Sequence, residues 1–81
     1  MRGKILTMNK KEDEKFLKEL GTRLREIRHK RGWTLEDTEE QGWPSWKHLQ
    51  RIESGKNVTI ITIKKLSKLY KIKLSEIFSK L

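Results

Sequence analysis

Residues 32–55 read GWTLEDTEEQGWPSWKHLQRIESG, a stretch that predicts two short helices joined by a tight turn. Thr34 is a favourable N-cap, and Asp37 three residues later provides the second half of a capping box. The first helix of this pair should therefore run over residues 35–41. Gly42 can adopt a positive φ and end that helix, because glycine has no Cβ to clash in the left-handed region.

The second helix of the pair should cover residues 45–54, with Pro44 at its first turn and Gly55 at its end. On a helical wheel Leu49 and Ile52 share one face. The opposite face carries four polar residues: Lys47, Gln50, Arg51 and Ser54. A short helix with Lys, Gln and Arg on one face of a basic protein suits the reading of base edges in the major groove of DNA.

This stretch resembles the helix-turn-helix of the Cro/C1-type (Xre) family of DNA-binding regulators. The matching residues are in register without a gap: Gly32, Thr34, Glu36, Ser45, Leu49, Ile52, Glu53 and Gly55. The flanking segments LGTRLREIRHKRG and TIKKLSKLYKIKLSEIF extend the resemblance over residues 20–78. The resemblance implies an all-α, five-helix, lambda-repressor-like DNA-binding domain without a sheet, whose helix-turn-helix spans residues 34–54.

Four residues depart from the pattern of the family: Leu35, Thr38, Glu39 and Trp43. Leu35 replaces a Gln that many members use beside the DNA backbone, so we expect fewer polar contacts from this helix. Glu39 replaces a small residue and is expected to turn toward solvent; the alternative pairs it with Lys47 or Arg51. Trp43 replaces the turn glycine and, like Trp33, is expected to pack against the core.

The resemblance puts Trp46, Lys47 and Arg51 at base-reading positions, and the helical wheel adds Gln50. Arg51 or Lys47 can donate to guanine O6 and N7, and Gln50 can pair with adenine N6 and N7. Trp46 has a second interpretation, as a residue at the boundary of the core. The expected contacts to the DNA backbone are Ser45, Ser54, Lys56, Asn57 and Arg23.

The resemblance also implies a partly buried ion pair between Arg28 and Glu53, which would orient the reading helix through the planar fork of the arginine. It further implies a homodimer, since half-sites one helical turn apart mirror a two-fold protein. Apolar residues of the C-terminal segment are the dimer-interface candidates: Leu74, Ile77, Phe78 and Leu81.

Before the central pair, one long helix is predicted over residues 11–31, with Asn9 as its cap. Gly21 lies inside it and could bend it or end it early. Its apolar residues recur every three or four positions: Phe16, Leu17, Leu20, Leu24 and Ile27. Residues 1–10 are expected to form a flexible basic arm, in which Arg2, Lys4 and Lys10 can touch phosphates, and residues 11–81 to form one domain.

After the central pair, a fourth helix should begin at Thr59 or Thr62 and end near Tyr70. Its core candidates are Ile60, Ile63, Leu66, Leu69 and Tyr70. A short link leads to a fifth helix over residues 74–80.

Composition limits the possible partners. The 81-residue chain carries 20 Lys and Arg against 11 Asp and Glu, a formal net charge of +9. Such an excess favours polyanions, nucleic acid before an anionic membrane. The absence of cysteine excludes a disulfide framework and a thiolate zinc site. No apolar run approaches the roughly 18 residues of a membrane span, so a cytoplasmic protein is expected.

The sequence therefore predicts a sequence-specific regulator of repressor or controller type that binds double-stranded DNA as a homodimer on a palindromic operator. The alternative is a basic helical module, such as an antitoxin-like domain, that binds a partner protein without reading DNA. An enzyme is not expected, since His29 and His48 have no nucleophile or metal-ligand set at a recognisable spacing. The carboxylates at residues 36–40 suit the helix dipole rather than a metal site, and no cofactor or small-molecule effector is indicated.

Overall fold

The computed structural model describes residues 9–81 as five α-helices. They are α1 (Lys10–Lys30), α2 (Leu35–Glu40), α3 (Trp46–Glu53), α4 (Ile60–Tyr70) and α5 (Leu74–Phe78). Residues 9–81 contain no strand, so the predicted all-α fold is confirmed. The predicted basic arm lies outside the described residues, with Arg2 and Lys4, except at its end: Lys10 is the first residue of α1.

Helix α1 begins where Asn9 accepts a hydrogen bond from the Glu12 amide, as the N-cap position requires. The helix runs through Gly21 without a break, and its second half supplies Leu20, Leu24 and Ile27 to the core. The first half does not. Phe16 is 45% exposed, so its predicted burial is wrong, because no other helix covers that side of α1.

The core lies between the second half of α1, helix α3 and the C-terminal helices α4 and α5. Its buried apolar residues are Leu20, Leu24, Ile27, Trp43, Leu49, Ile52, Ile63, Leu66, Tyr70 and Ile77. The ring of Trp33 packs near that of Tyr70, with 5.8 Å between ring centroids. Because α3 contributes two of these residues, its orientation is tied to the core of the domain.

Helix α4 is capped by Thr59, whose side chain accepts from the Thr62 amide, and it ends at Lys71 with a left-handed backbone (φ 56°). Ile60 was predicted as a core residue, but it is 63% exposed because it starts the helix at the edge of the domain. Helix α5 ends at Phe78 rather than at Lys80. Among the described residues, no helix combines the length and the apolar character needed to cross a membrane.

Candidate nucleic-acid interface

The helix before the turn, α2, is fixed by a reciprocal capping box. The Thr34 amide donates to the Asp37 carboxylate at 2.8 Å, and the Asp37 amide donates to the Thr34 hydroxyl at 3.0 Å. Four of the six residues of α2 are acidic: Glu36, Asp37, Glu39 and Glu40. Thr38 is fully buried, so it fills the place of the apolar residue that the family pattern prefers.

The turn is closed by Gly42 and Trp43. Gly42 has a φ of +106°, and the Trp43 amide donates to the Thr38 carbonyl at 2.9 Å. The Trp43 ring is buried, as expected, and lies parallel to the His48 ring with 6.3 Å between centroids. Pro44 is not in the first turn of α3, because Ser45 is the N-cap and Pro44 precedes it.

Helix α3 separates its apolar and polar sides. The Ser45 hydroxyl accepts from the His48 amide at 3.3 Å and starts the helix. Leu49 and Ile52 are buried in the core. The opposite face is exposed and carries Lys47, Gln50 and Arg51. These three side chains therefore share one accessible surface, which we call the reading face.

Trp46 lies between the two sides of α3. Its side chain is half-buried, and the Lys47 ammonium lies 5.9 Å from the centroid of its ring. Trp46 is not among the partly buried apolar residues that pack against the core. Its interpretation as a boundary residue of the core is therefore not supported, and its contact with a base stays a prediction.

Glu39 has a contact that sequence analysis missed. Its carboxylate accepts a hydrogen bond of 2.8 Å from the backbone amide of Trp46, the first residue of α3. Glu39 is exposed, as expected, and the alternative pairing with Lys47 or Arg51 is absent among the ion pairs of the described residues. The negative charge thus lies at the positive end of the helix dipole of α3. The capping preferences of the sequence give no signal for it, since Glu39 is on another helix.

A buried ion pair joins α1 to the end of α3. Arg28 donates from two of its nitrogens to the two carboxylate oxygens of Glu53, at 2.8 and 2.9 Å. A third nitrogen of Arg28 donates to the Trp33 carbonyl at 2.9 Å. The hydrogen bond with Glu53 raises the pKa of Arg28 further above its ordinary value, so the guanidinium keeps its charge. The guanidinium of Arg28 therefore joins α1, the end of α3 and the segment before α2.

Arg25 is a second residue that sequence analysis missed. It is partly exposed, and its guanidinium lies 3.6 Å from the Glu53 carboxylate and 3.4 Å from the Glu53 carbonyl. Arg25 precedes Arg28 by three residues, so both lie on one side of α1. The separation of three residues between Arg25 and Arg28 was the feature of the sequence that could have identified Arg25. Arg25 adds positive charge where the C-terminal carbonyls of α3 carry partial negative charge.

Four of the five residues expected at the DNA backbone lie at the ends of α3 or in the loop after it, and the fifth is buried elsewhere. Ser45 and Ser54 are the two caps of α3, and Lys56 and Asn57 are exposed in the loop that follows. Arg23 is buried and donates to the Glu76 carbonyl of α5 at 2.8 Å. The expectation for Arg23 is corrected, because its guanidinium anchors α5 and is not available to a phosphate.

The dimer-interface candidates on the C-terminal segment also differ in their exposure. Leu74 and Leu81 are exposed, and Phe78 is half-buried. Ile77 is fully buried within its own domain. The expectation for Ile77 is therefore corrected, because a side chain enclosed by its own chain has no surface to offer a partner. Among the described residues, no group of histidine and carboxylate side chains could hold a metal ion.

The geometry of α2, the turn and α3 agrees with a comparison against known protein families. A family model described as helix-turn-helix matches residues 24–77, which is more than half of the chain. The comparisons with curated proteins and with solved structures gave no match.

Proposed function

Because the chain belongs to the Cro/C1-type helix-turn-helix family, whose members are DNA-binding transcription regulators, we propose that it reads a specific DNA sequence. In this proposal it is a regulator of repressor or controller type that acts in the cytoplasm as a homodimer on a palindromic operator. Residues 11–81 form its DNA-binding unit, and α3 enters the major groove.

The observation that carries this proposal is the two-sided character of α3. Leu49 and Ile52 hold the helix in the core, while Lys47, Gln50 and Arg51 remain exposed on the reading face. In the helix-turn-helix arrangement the second helix lies in the major groove and the first crosses the DNA backbone. A rigidly held helix with exposed donors meets the geometric need of base readout.

Each side chain of the reading face has a role that follows from its chemistry. Arg51 and Lys47 donate to guanine O6 and N7, and Gln50 makes a bidentate pair with adenine. The exposed part of Trp46 packs on a thymine methyl or a sugar. A good bidentate contact discriminates against a wrong base by about 1–3 kcal/mol.

The contacts that fix the register on DNA come from the ends of α3. Ser45, Ser54, Lys56 and Asn57 lie at these ends or just beyond them, where hydroxyl, amide and ammonium groups can donate to phosphate oxygens. Such contacts position the protein without carrying sequence information. Their contribution is electrostatic for Lys56 and depends on salt.

Selection of bound DNA from a random pool tests the proposal. We expect one enriched motif with two-fold symmetry, and we expect Arg51→Ala to weaken binding about tenfold or more and to relax the preference at one position of each half-site. Lys64→Ala is the matched control, since it removes one exposed positive charge from α4 and leaves α3 intact. Enrichment of no motif by the unmodified protein would contradict sequence-specific reading.

The acidic character of α2 favours a second candidate function. In the helix-turn-helix arrangement this helix crosses the phosphates, yet it carries Glu36, Asp37, Glu39 and Glu40 within six residues. A protein-interaction module would use such a surface for a basic partner and would not enrich a DNA motif. The random-pool selection therefore separates the two functions.

A further inference from the structure

An open apolar groove runs between the first half of α1 and the start of α4. Its volume is about 420 Å³, and seven of its nine lining residues are apolar. The buried residues Leu20 and Ile63 lie along it. Phe16 and Ile60, which are 45% and 63% exposed, stand on its two sides. Exposed large apolar side chains beside a groove mark an interaction surface more often than scattered single residues do.

The rest of the described chain leaves the first half of α1 largely uncovered. Every residue of the range 10–19 is exposed except Leu17, which is half-buried. A helical segment this short is marginal in water when nothing packs against it. A partner that covers Phe16 and Leu17 would supply the missing apolar contacts.

Charge narrows the choice of partner. Residues 10–19 contain four lysines and four carboxylates, so their net charge is 4 − 4 = 0, whereas the whole chain carries +9. The remaining residues therefore hold the entire excess. Nucleic acid or an acidic protein would be attracted to those other surfaces rather than to this one. For a second copy of this basic chain, the neutral segment is the place where approach costs least.

We propose that this groove is the surface through which two copies of the chain form a two-fold dimer. Phe16 of one copy enters the groove of the other beside Ile60, and the reverse contact follows from the symmetry. The proposal rests on the homodimer of the proposed function and assigns its surface. None of the lining residues belongs to α3, so the dimer does not use the side chains that we assign to base reading, although Asn57, which we assign to the DNA backbone, is one of the lining residues.

The test compares the double variant Phe16→Ser, Ile60→Ser with the single variant Ile61→Ser. Ile61 is 56% exposed and adjoins Ile60, but it does not line the groove, which makes it a matched control. Sedimentation equilibrium over a range of protein concentrations gives the dissociation constant of the dimer. We expect the dissociation constant of the dimer to rise by about tenfold or more in the double variant, because central apolar side chains dominate interfaces. The control should match the unmodified chain.

Two further measurements keep the outcome clear. Circular dichroism should show that the double variant still unfolds cooperatively, since Phe16 and Ile60 are exposed in the single chain. The variant Leu74→Ser, Leu81→Ser removes the exposed apolar residues of the C-terminal segment. If that variant is monomeric and the groove variant stays dimeric, the assignment to the groove is wrong. If the unmodified chain is monomeric at every concentration, the groove does not bind a second copy.

DNA binding separates this inference from the proposed function. The double variant should bind a single half-site as the unmodified chain does, and it should lose its advantage on the full palindrome. If the unmodified chain does not bind the half-site, the proposed function is overturned. Retention of the advantage on the full palindrome by the double variant would overturn the dimer surface.

Discussion

Glu39 accepts a hydrogen bond from the Trp46 amide and thereby links α2 to the start of α3. Exposed amides at a helix N-terminus are good positions for a phosphate, because the amides and the helix dipole both favour negative charge. In this protein a side-chain carboxylate occupies the first of them. Glu39 therefore stabilises α3 in the free protein and places a negative charge close to the reading face.

For Glu39→Gln, these two effects predict a loss of stability and a gain in DNA affinity. The amide side chain keeps an acceptor oxygen but loses the charge at the helix terminus, so stability should fall by about 0.3–1 kcal/mol. DNA affinity should rise, because a negative charge beside the phosphates is removed. Urea unfolding and mobility shifts measure the two quantities. Glu40→Gln is the control for stability, since Glu40 is exposed and has no hydrogen bond to α3. A fall in both quantities would show that the carboxylate aids DNA binding.

Tyr70 predicts a loss of stability at alkaline pH. Its side chain is fully buried, and its hydroxyl has no hydrogen-bond partner within residues 9–81. Burial, and then the charge of Glu53, raise the pKa of Tyr70 above its ordinary value of 10.0. The folded protein keeps a proton that the unfolded chain releases, so the stabilising contribution is complete below about pH 10 and declines as the pH rises.

Tyr70→Phe should remove this dependence. The phenylalanine fills the same space without an unpaired hydroxyl, so at neutral pH the variant should be as stable as the unmodified protein or more stable. Between about pH 10 and about pH 11, the unfolding free energies of the two proteins should diverge in favour of the variant. Parallel curves throughout that interval would contradict the raised pKa.

At the scale of the helices, the contact of α1 with α3 depends on Gly21. A Cβ added at this position would lie 2.7 Å from the Ile52 carbonyl oxygen, which belongs to the backbone of α3. Helix propensity alone favours alanine over glycine by about 1 kcal/mol. The structure thus gives Gly21 a packing role that the helical pattern of the sequence does not contain.

Gly21→Ala should therefore destabilise the protein, by about 1–3 kcal/mol, because the added methyl group forces α1 away from α3. DNA affinity should fall with it, since the displacement moves the reading face. Thr22→Ala is the control: Thr22 is exposed on the same helix, and its replacement keeps the helix contact. Thermal unfolding gives the comparison. A stability gain in Gly21→Ala would mean that α1 and α3 adjust to the methyl group without cost.

The helices themselves could be predicted from the sequence because their signals are local. Asn9, Thr34 and Thr59 cap helices through amides only three residues away. The burial of individual positions could not be predicted in the same way. Phe16 and Ile60 continue apolar patterns past the point where a neighbouring helix covers them. Arg23 has its partner, the Glu76 carbonyl, 53 residues away, and no periodicity reports a contact of that kind.

At the scale of the whole molecule, positive charge is unevenly distributed. The chain has a net charge of +9, while residues 10–19 are neutral and α2 is acidic. The excess therefore lies on other surfaces, including α3 and the loop after it. The net charge predicted a polyanionic partner, and the pattern of residues 32–55 predicted the DNA-binding family to which the chain belongs. Neither signal identifies the contacts made by Glu39, since these depend on how α2 meets α3.

Salt dependence measures how many phosphates the protein neutralises. For each one, the logarithm of the binding constant should fall with the logarithm of salt concentration with a slope of about −0.9. Lys56→Ala should reduce the magnitude of the slope by about 0.9 for each bound copy and leave the base preference unchanged. Lys64→Ala should leave the slope as it is. An unchanged slope in Lys56→Ala would remove Lys56 from the proposed phosphate contacts.

The junction at Arg28 limits how the protein can open. This one side chain is bonded to Glu53 at the end of α3 and to the Trp33 carbonyl before α2. Separation of α3 from α1 leaves a buried charge without its partner, at a cost of about 3–5 kcal/mol, whereas movement of α2 loses only the hydrogen bond to the Trp33 carbonyl. Amide hydrogens in the second half of α1 and in α3 should accordingly exchange with solvent through one shared event. Fraying should then begin at residues 10–19, and α3 should be released only when the domain unfolds.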